Sequence, residues 1–94
     1  MAVLMTTEFQ ATADQYDQVQ KALDIANNPP DGWIAHTAQD LGDKIKVVDI
    51  WESAEAFGAF AESRLGPTIA ETLGDDAPPP PQPEFTELHN AEAA

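Results

Sequence analysis

KIKVVDIWESAEAFGAFAESRL, residues 44–65, combines two periodicities with no break between them. From Lys44 to Glu52, odd-numbered and even-numbered side chains fall on opposite faces, a spacing typical of a β-strand. Ser53 is a suitable N-cap, and the apolar residues that follow recur at helical spacing: Phe57, Phe60, Ala61 and Leu65. The sequence therefore predicts a strand that ends at Glu52 and an amphipathic helix that begins after Ser53.

The segments before residue 44 predict a strand, a helix and a second strand. Ala2–Phe9 alternates but is largely apolar or neutral on both faces, as expected for a strand inside a sheet. Thr12 is a plausible N-cap that Gln15 completes as a capping box, and the helical stripe ends near Asn27. Two prolines in the following residues 28–32 then exclude a helix and predict a loop.

The strand expected at 33–39 forms a hairpin with the strand at 44–52, through a turn around Gly42. If the loop has an even number of residues, His36 lies opposite Asp49 and Ile34 lies opposite Trp51. A loop with an odd number would break both pairings, because a shift of one residue reverses every side chain. The sequence leaves both registers open, and we expect the even one because Gly42-Asp43 suits a tight turn.

The remainder of the chain completes one domain over residues 1–90. Gly66-Pro67 interrupts the helical pattern, and Thr68–Leu73 is expected to form a short extra turn or helix. Residues 75–83, DDAPPPPQP, read as a polyproline II connector that leads to a last strand at 84–90, with a frayed tail at 91–94. The order β-α-β-β-α-β predicts an α+β, ferredoxin-like subunit with a four-stranded antiparallel sheet.

The composition argues against several classes of binding partner and binding site. Seventeen acidic and four basic residues give a net charge of −13, which opposes binding to nucleic acid and to anionic membranes. The chain has no cysteine, so it has no disulfide or thiolate site, and its N-terminal apolar run is too short for a membrane span. We therefore expect a cytoplasmic protein. A chain of 94 residues has a small core, and a homodimer would bury additional apolar surface.

A strand that ends in IWES, a helix that reads EAFGAF and a closing RLGP resemble the dimeric α+β barrel superfamily, in its antibiotic biosynthesis monooxygenase (ABM)-like branch. The resemblance covers about 85 of the 94 residues. It implies a homodimer in which two sheets pack into one barrel. It also implies a site for a flat apolar molecule between helices and sheet, and Tyr16, Trp51, Phe57 and Phe60 are the aromatic residues expected to line it.

The His36–Asp49 pair is the candidate catalytic group. A carboxylate beside an imidazole fixes the tautomer of the ring, as a general base requires, but such a pair can also be purely structural. His36, Asp49 and His89 also suggest a metal-binding triad. In the sheet order 4-1-3-2 the last strand lies roughly 14 Å from the second, which is too far for one metal ion within one subunit, so only a contact across a dimer could complete the triad. We therefore expect no metal site.

The resemblance also bears on haem. Haem-degrading members of the ABM-like branch carry an Asn, a Trp and a His at positions that match Thr6 or Thr7, Phe60 and Ala70 here, and none of the three is kept. We therefore expect a protein that binds a small apolar or aromatic molecule, without a cofactor and without haem-degrading activity. The alternative is a cofactor-free monooxygenase or isomerase that acts on an aromatic or polyketide-like compound.

Overall fold

A computed structural model describes residues 2–77 and 82–91 of the chain. Its strands form one antiparallel sheet in the order β2-β3-β1-β4, as the sequence predicts. The strands and their bounds are β1 (Val3–Phe9), β2 (Trp33–Asp40), β3 (Ile45–Trp51) and β4 (Glu84–Glu87). The predicted last strand extends to Asn90, but pairing with β1 ends at Glu87. The predicted connector lies partly, and the tail mostly, outside the described residues.

Three helices pack on one face of the sheet, α1 (Ala13–Leu23), α2 (Ala54–Phe60) and α3 (Gly66–Leu73). The predicted capping box is present, because the Thr12 hydroxyl accepts from Gln15 N and the Thr12 amide donates to the Gln15 side chain. Ser53 caps α2 through the Ala56 amide at 3.1 Å. The first helix ends four residues before the predicted Asn27, because Asp24 adopts a left-handed conformation with φ of 52°.

The second helical region does not break at Gly66-Pro67, and this sequence prediction was wrong. A π-helical segment, Ala61–Leu65, joins α2 to α3, and the Gly66 amide donates to the Ala61 carbonyl five residues earlier. Proline lacks the N–H of the usual bond and its ring collides with the carbonyl four residues back. A locally wider turn relieves that conflict, so Pro67 occupies the first turn of α3 and the helix continues.

The hairpin has the even register. His36 lies opposite Asp49, and Asp40 lies opposite Ile45, with the Leu41 amide donating to the Lys44 carbonyl across the turn. The predicted pairing of Ile34 with Trp51 was wrong, because an irregularity between Trp33 and Ala35 places Trp33 opposite Trp51. Ile34 is consequently 49% exposed.

The core lies between the sheet and the helices. On β3 the residues that face the helices are all buried, namely Ile45, Val47, Asp49 and Trp51. Trp51 and Met5 are each 1% exposed, and Phe57 and Phe60 pack against the Trp51 ring at centroid distances of 5.4 and 5.5 Å. Among the described residues, no helix has both the length and the apolar character that crossing a bilayer requires.

Candidate functional site

Asp49 is the one buried carboxylate among the described residues, and it lies on the face of β3 that packs against the helices. Its Oδ1 atom is 2.6 Å from Nδ1 of His36, and its Oδ2 atom accepts from Nε1–H of Trp51 at 3.1 Å. An indole N–H can only donate, so Oδ2 must accept, and Oδ1 of an ionised Asp49 accepts as well, from His36 Nδ1–H. Both interactions are therefore best satisfied by the ionised carboxylate.

His36 lies between Asp49 and the first helix. Its Nε2 atom is 2.5 Å from the Tyr16 hydroxyl, and the two rings are nearly parallel, with an interplanar angle of 10°. Since Asp49 accepts from Nδ1–H, Nε2 is the unprotonated nitrogen of the neutral ring, and the Tyr16 hydroxyl donates to it. The side-chain amide of Gln20, one helical turn after Tyr16, lies 3.5 Å from the same nitrogen.

Tyr16 remains protonated in this network. Burial, and then the charges of Asp49 and Asp17, raise the pKa of Tyr16 to about 12. The folded chain therefore holds the phenol proton at a pH where the unfolded chain releases it, near 10. The contribution of this group to stability is unchanged below that pH and falls as the pH rises from about 10 to about 12.

The network forms one end of a cavity of about 80 Å³ between the sheet and the helices. The polar residues of its wall are Gln15, Tyr16, Gln20, His36 and Asp49. Most of the remaining wall is apolar and includes Met5, Val47, Trp51, Phe57, Phe60 and Ile69. The cavity therefore joins an apolar body to one polar end, which is the arrangement of many small-molecule sites.

All six predicted site residues line this cavity. The structure brings Tyr16, His36, Asp49 and Trp51 into one chain of hydrogen bonds, while Phe57 and Phe60 contribute only apolar wall. Two contacts were missed from the sequence: the bond from Tyr16 to His36, and the approach of Gln20 to the same nitrogen. The available signal was that Tyr16 and Gln20 are polar groups four residues apart, beside the apolar stripe of α1.

The metal hypothesis needs His89 as a third ligand beside His36 and Asp49, and the haem hypothesis rests on residues outside the hydrogen-bond network. His89 follows β4, which is separated from β2 by two strands, and no set of three or more metal-binding side chains occurs among the described residues. Ala70, which matches the haem-ligand position, is exposed on α3. Thr7 is buried, but its hydroxyl has no hydrogen-bond partner in the described part of the chain.

No family model matches the chain, and no curated protein matches it. Solved structures do. A protein of Chloroflexus aurantiacus that is classed with the antibiotic biosynthesis monooxygenases is 18% identical, with a TM-score of 0.67 over 99% of this chain and 98% of that one. The chain has the fold of the antibiotic biosynthesis monooxygenases.

Two further structures with this ABM-like fold differ in what is stated of them. A protein of unknown function from Nitrosomonas europaea is 20% identical, with a TM-score of 0.71 over 99% of this chain and 94% of that one. SnoaB of Streptomyces nogalater, a cofactor-independent oxygenase, is 16% identical, with a TM-score of 0.65 over 96% of this chain and 95% of that one. At these identities the likeness establishes the ABM-like fold alone.

Proposed function

We propose that the protein is a cofactor-free oxygenase or isomerase that binds a small aromatic or enolisable molecule in the cavity and uses His36 as its general base. The observation that carries this proposal is an imidazole in the cavity wall whose Nδ1 is held by a buried carboxylate and whose Nε2 is bonded to the Tyr16 hydroxyl of the same wall. A site that only binds an apolar molecule needs apolar walls alone, whereas a buried carboxylate costs desolvation energy and beside an imidazole is the arrangement of a general base. The fold shared with SnoaB, a cofactor-independent oxygenase, is consistent with this chemistry.

The chemistry begins with proton transfer. The substrate gives a proton to Nε2 of His36, either directly after the Tyr16 hydroxyl moves aside or through that hydroxyl. The imidazolium that forms is stabilised by Asp49 at 2.6 Å. In the isomerase reaction the proton returns to another atom of the substrate, and no other reactant is needed.

In the oxygenase reaction, dioxygen is the oxidant. A phenol that has lost its proton donates electrons to dioxygen from the ring, and a ring carbon bonds to one oxygen atom. The O–O bond then breaks and the same ring carbon loses its hydrogen as a proton. This proton and the one held by His36 leave with the second oxygen atom as water, and the ring becomes a quinone. One phenol and one dioxygen thus give one quinone and one water, and the phenol supplies all four electrons.

The test is dioxygen uptake and quinone absorbance with small phenols and hydroquinones, for the wild type and for His36→Gln. We expect His36→Gln to lower kcat/KM by at least about 10²-fold, as the loss of a general base does. His89→Gln is the matched control, because it replaces the other histidine of the chain, which is exposed beyond β4. Equal turnover by wild type and His36→Gln would contradict the proposal.

Binding without turnover is the second candidate. It is favoured by the contact between Tyr16 and His36, which already occupies the nitrogen that a base would use. In that case the hydrogen-bonding groups of His36, Tyr16 and Asp49 only pair with one another in a partly buried wall. The apolar residues alone then hold the ligand. A ligand that binds wild type and His36→Gln with equal affinity and is recovered unchanged would identify this function.

We further propose that the protein is a homodimer that associates through the sheet face opposite the helices. The centre of that face is uncharged and is formed by Leu4, Thr6, Ala35, Thr37, Val48 and Ile50, none of them fully buried. A chain with a net charge of −13 repels a second copy over most of its surface, and this uncharged centre minimises the repulsion.

Light scattering is expected to give twice the mass of the chain at micromolar concentration, with tighter association at higher salt because salt screens the repulsion. Ile50→Lys introduces a charge into the centre of the face and should give the monomer. Ala70→Lys, on the exposed surface of α3, adds the same charge elsewhere and should leave the dimer intact. A wild-type chain that is monomeric at both low and high salt would exclude this assembly.

A further inference from the structure

The cavity has no positive charge in its wall, and each of the chain's four basic side chains is placed elsewhere. Arg64 donates to the Asn28 and Leu23 carbonyls at 2.8 and 3.0 Å. Lys44 pairs with Glu8 at 3.1 Å, Lys21 is exposed, and Lys46 lies on the sheet face opposite the helices. A carboxylate or phosphate in the cavity would therefore find no lysine or arginine to pair with, and the charge of a protonated His36 would already be paired with Asp49 at 2.6 Å.

The one formal charge in the wall is the negative charge of Asp49, and this carboxylate is already hydrogen-bonded through both of its oxygens. Asp49 is 5% exposed, and both of its oxygens accept hydrogen bonds from within the site. The effect of this charge is visible on Tyr16, whose pKa burial and the Asp49 carboxylate raise to about 12. An anionic ligand group placed beside Tyr16 would meet the same burial and the same repulsion.

The donors and acceptors that remain at the polar end suit a neutral group. They are the Tyr16 hydroxyl oxygen, which can still accept, and the side-chain amides of Gln15 and Gln20, while Nε2 of His36 becomes free only when the Tyr16 hydroxyl turns away. A hydroxyl or carbonyl group can exchange hydrogen bonds with any of these without bringing a charge. The volume of about 80 Å³ is also small beside the roughly 300–1,000 Å³ typical of sites for drug-sized ligands.

We propose that the cavity selects small neutral molecules that carry a hydroxyl or carbonyl group at one end, and that it excludes the corresponding carboxylates. This inference rests on the proposed function and narrows the substrate to one that binds in its neutral, protonated form. A neutral substrate that transfers its proton to His36 creates its own negative charge and the imidazolium together, so the two compensate each other. A ligand that arrives ionised brings a negative charge with no such partner.

The test compares three probes of similar shape: 4-methylphenol, 4-methylbenzamide and 4-methylbenzoate. The first two are neutral at pH 7 and the third is an anion, and the amide matches the benzoate in size. The chain has two tryptophans, Trp33 and Trp51, and both line the cavity, so their two indole N–H signals in ¹⁵N-correlated NMR spectra report binding there. We expect the benzoate to bind at least about tenfold more weakly than the amide.

Two variants separate the charge of the cavity from the charge of the surface. Asp49→Asn removes the buried charge and should reduce the ratio between the affinities for the amide and the benzoate. Asp17→Asn removes an exposed charge near Tyr16 and should leave the difference close to that of the wild type. The preference measured on the wild type stands even if Asp49→Asn does not fold.

The binding assay is independent of turnover, so the two proposals can fail separately. Benzoate affinity equal to or greater than amide affinity, or no binding by any of the probes at millimolar concentration, would overturn the charge selectivity. Phenol turnover that depends on His36 would still support the proposal that His36 is the general base. The reverse result, selective binding with no turnover of any phenol or hydroquinone, would support the charge selectivity and contradict the oxygenase.

Discussion

Replacing Asp49 with Asn is expected to lower kcat/KM of the proposed reaction by at least about 10²-fold, because it reverses the tautomer of His36. The wild-type carboxylate accepts from two donors, His36 Nδ1–H and Trp51 Nε1–H. An Asn side chain has one oxygen and one NH₂ group. Since the indole can only donate, the amide oxygen turns to Trp51 and the NH₂ group turns to His36.

The consequence for His36 is that Nδ1 must now accept, and the proton moves to Nε2. A protonated Nε2 donates to the Tyr16 oxygen and cannot take a proton from a substrate. Long-range ¹H–¹⁵N NMR spectra distinguish the two tautomers, and the exposed His89 provides an internal reference in the same spectrum. A variant that keeps the Nδ1–H tautomer and wild-type turnover would show that Asp49 does not orient the base.

Tyr16 offers an independent measurement on the same variant. It is the only tyrosine of the chain, so the absorbance change that accompanies phenol ionisation reports this residue alone. In the wild type the midpoint is expected at about 12, and Asp49→Asn should move it toward the ordinary value because one of the two charges that raise it is gone. Burial, the larger cause, remains, so the pKa should stay above about 10.

The sequence predicts the strand order from the succession β-α-β-β-α-β, which is that of a ferredoxin-like sheet, and it predicts the hairpin register from a local pattern. The alternation through Val47 and Trp51 fixes which face of β3 is buried, and a slip of one residue would expose all of that face. It does not predict the irregularity at Ile34 or the π-helical segment before Gly66. Both are compromises between local geometry and packing, and neither leaves a periodic signal in the residues concerned.

Some contacts of the candidate site could likewise be predicted from the sequence, and others could not. The His36–Asp49 pair follows from the register, since two residues on neighbouring strands meet whenever the hairpin is correctly paired. Tyr16 lies on a helix, and its approach to Nε2 depends on how α1 lies over the sheet, which spacing along the chain does not determine. The family resemblance assigned the aromatic residues to the cavity, but no pattern in the sequence predicted the hydrogen bond between Tyr16 and His36.

Gly32 is expected to be the glycine most sensitive to substitution, because two separate costs coincide there. Its φ of +84° is a conformation that other residues rarely adopt, and an added Cβ would lie 2.6 Å from the Ala56 Cβ in the first turn of α2. Its carbonyl accepts from the Glu52 amide at 2.7 Å, so the backbone has little freedom to move away. Gly32 therefore fixes the point at which β2 enters the sheet.

Gly32→Ala should lower the free energy of unfolding by about 2–4 kcal/mol, the sum of a left-handed backbone and an overpacked contact. Gly42→Ala is the matched control, since its φ is +95° but its Cβ would meet nothing within 4 Å, and it should cost only about 1 kcal/mol. Urea unfolding measures both values.

Ala56→Gly should recover part of the lost unfolding free energy in the Gly32→Ala background, because it removes the opposing methyl group. In the wild type the same substitution should destabilise the helix. Equal costs at Gly32 and Gly42 would mean that the close approach to α2 does not constrain the start of β2, and that the position of His36 depends on the hairpin alone.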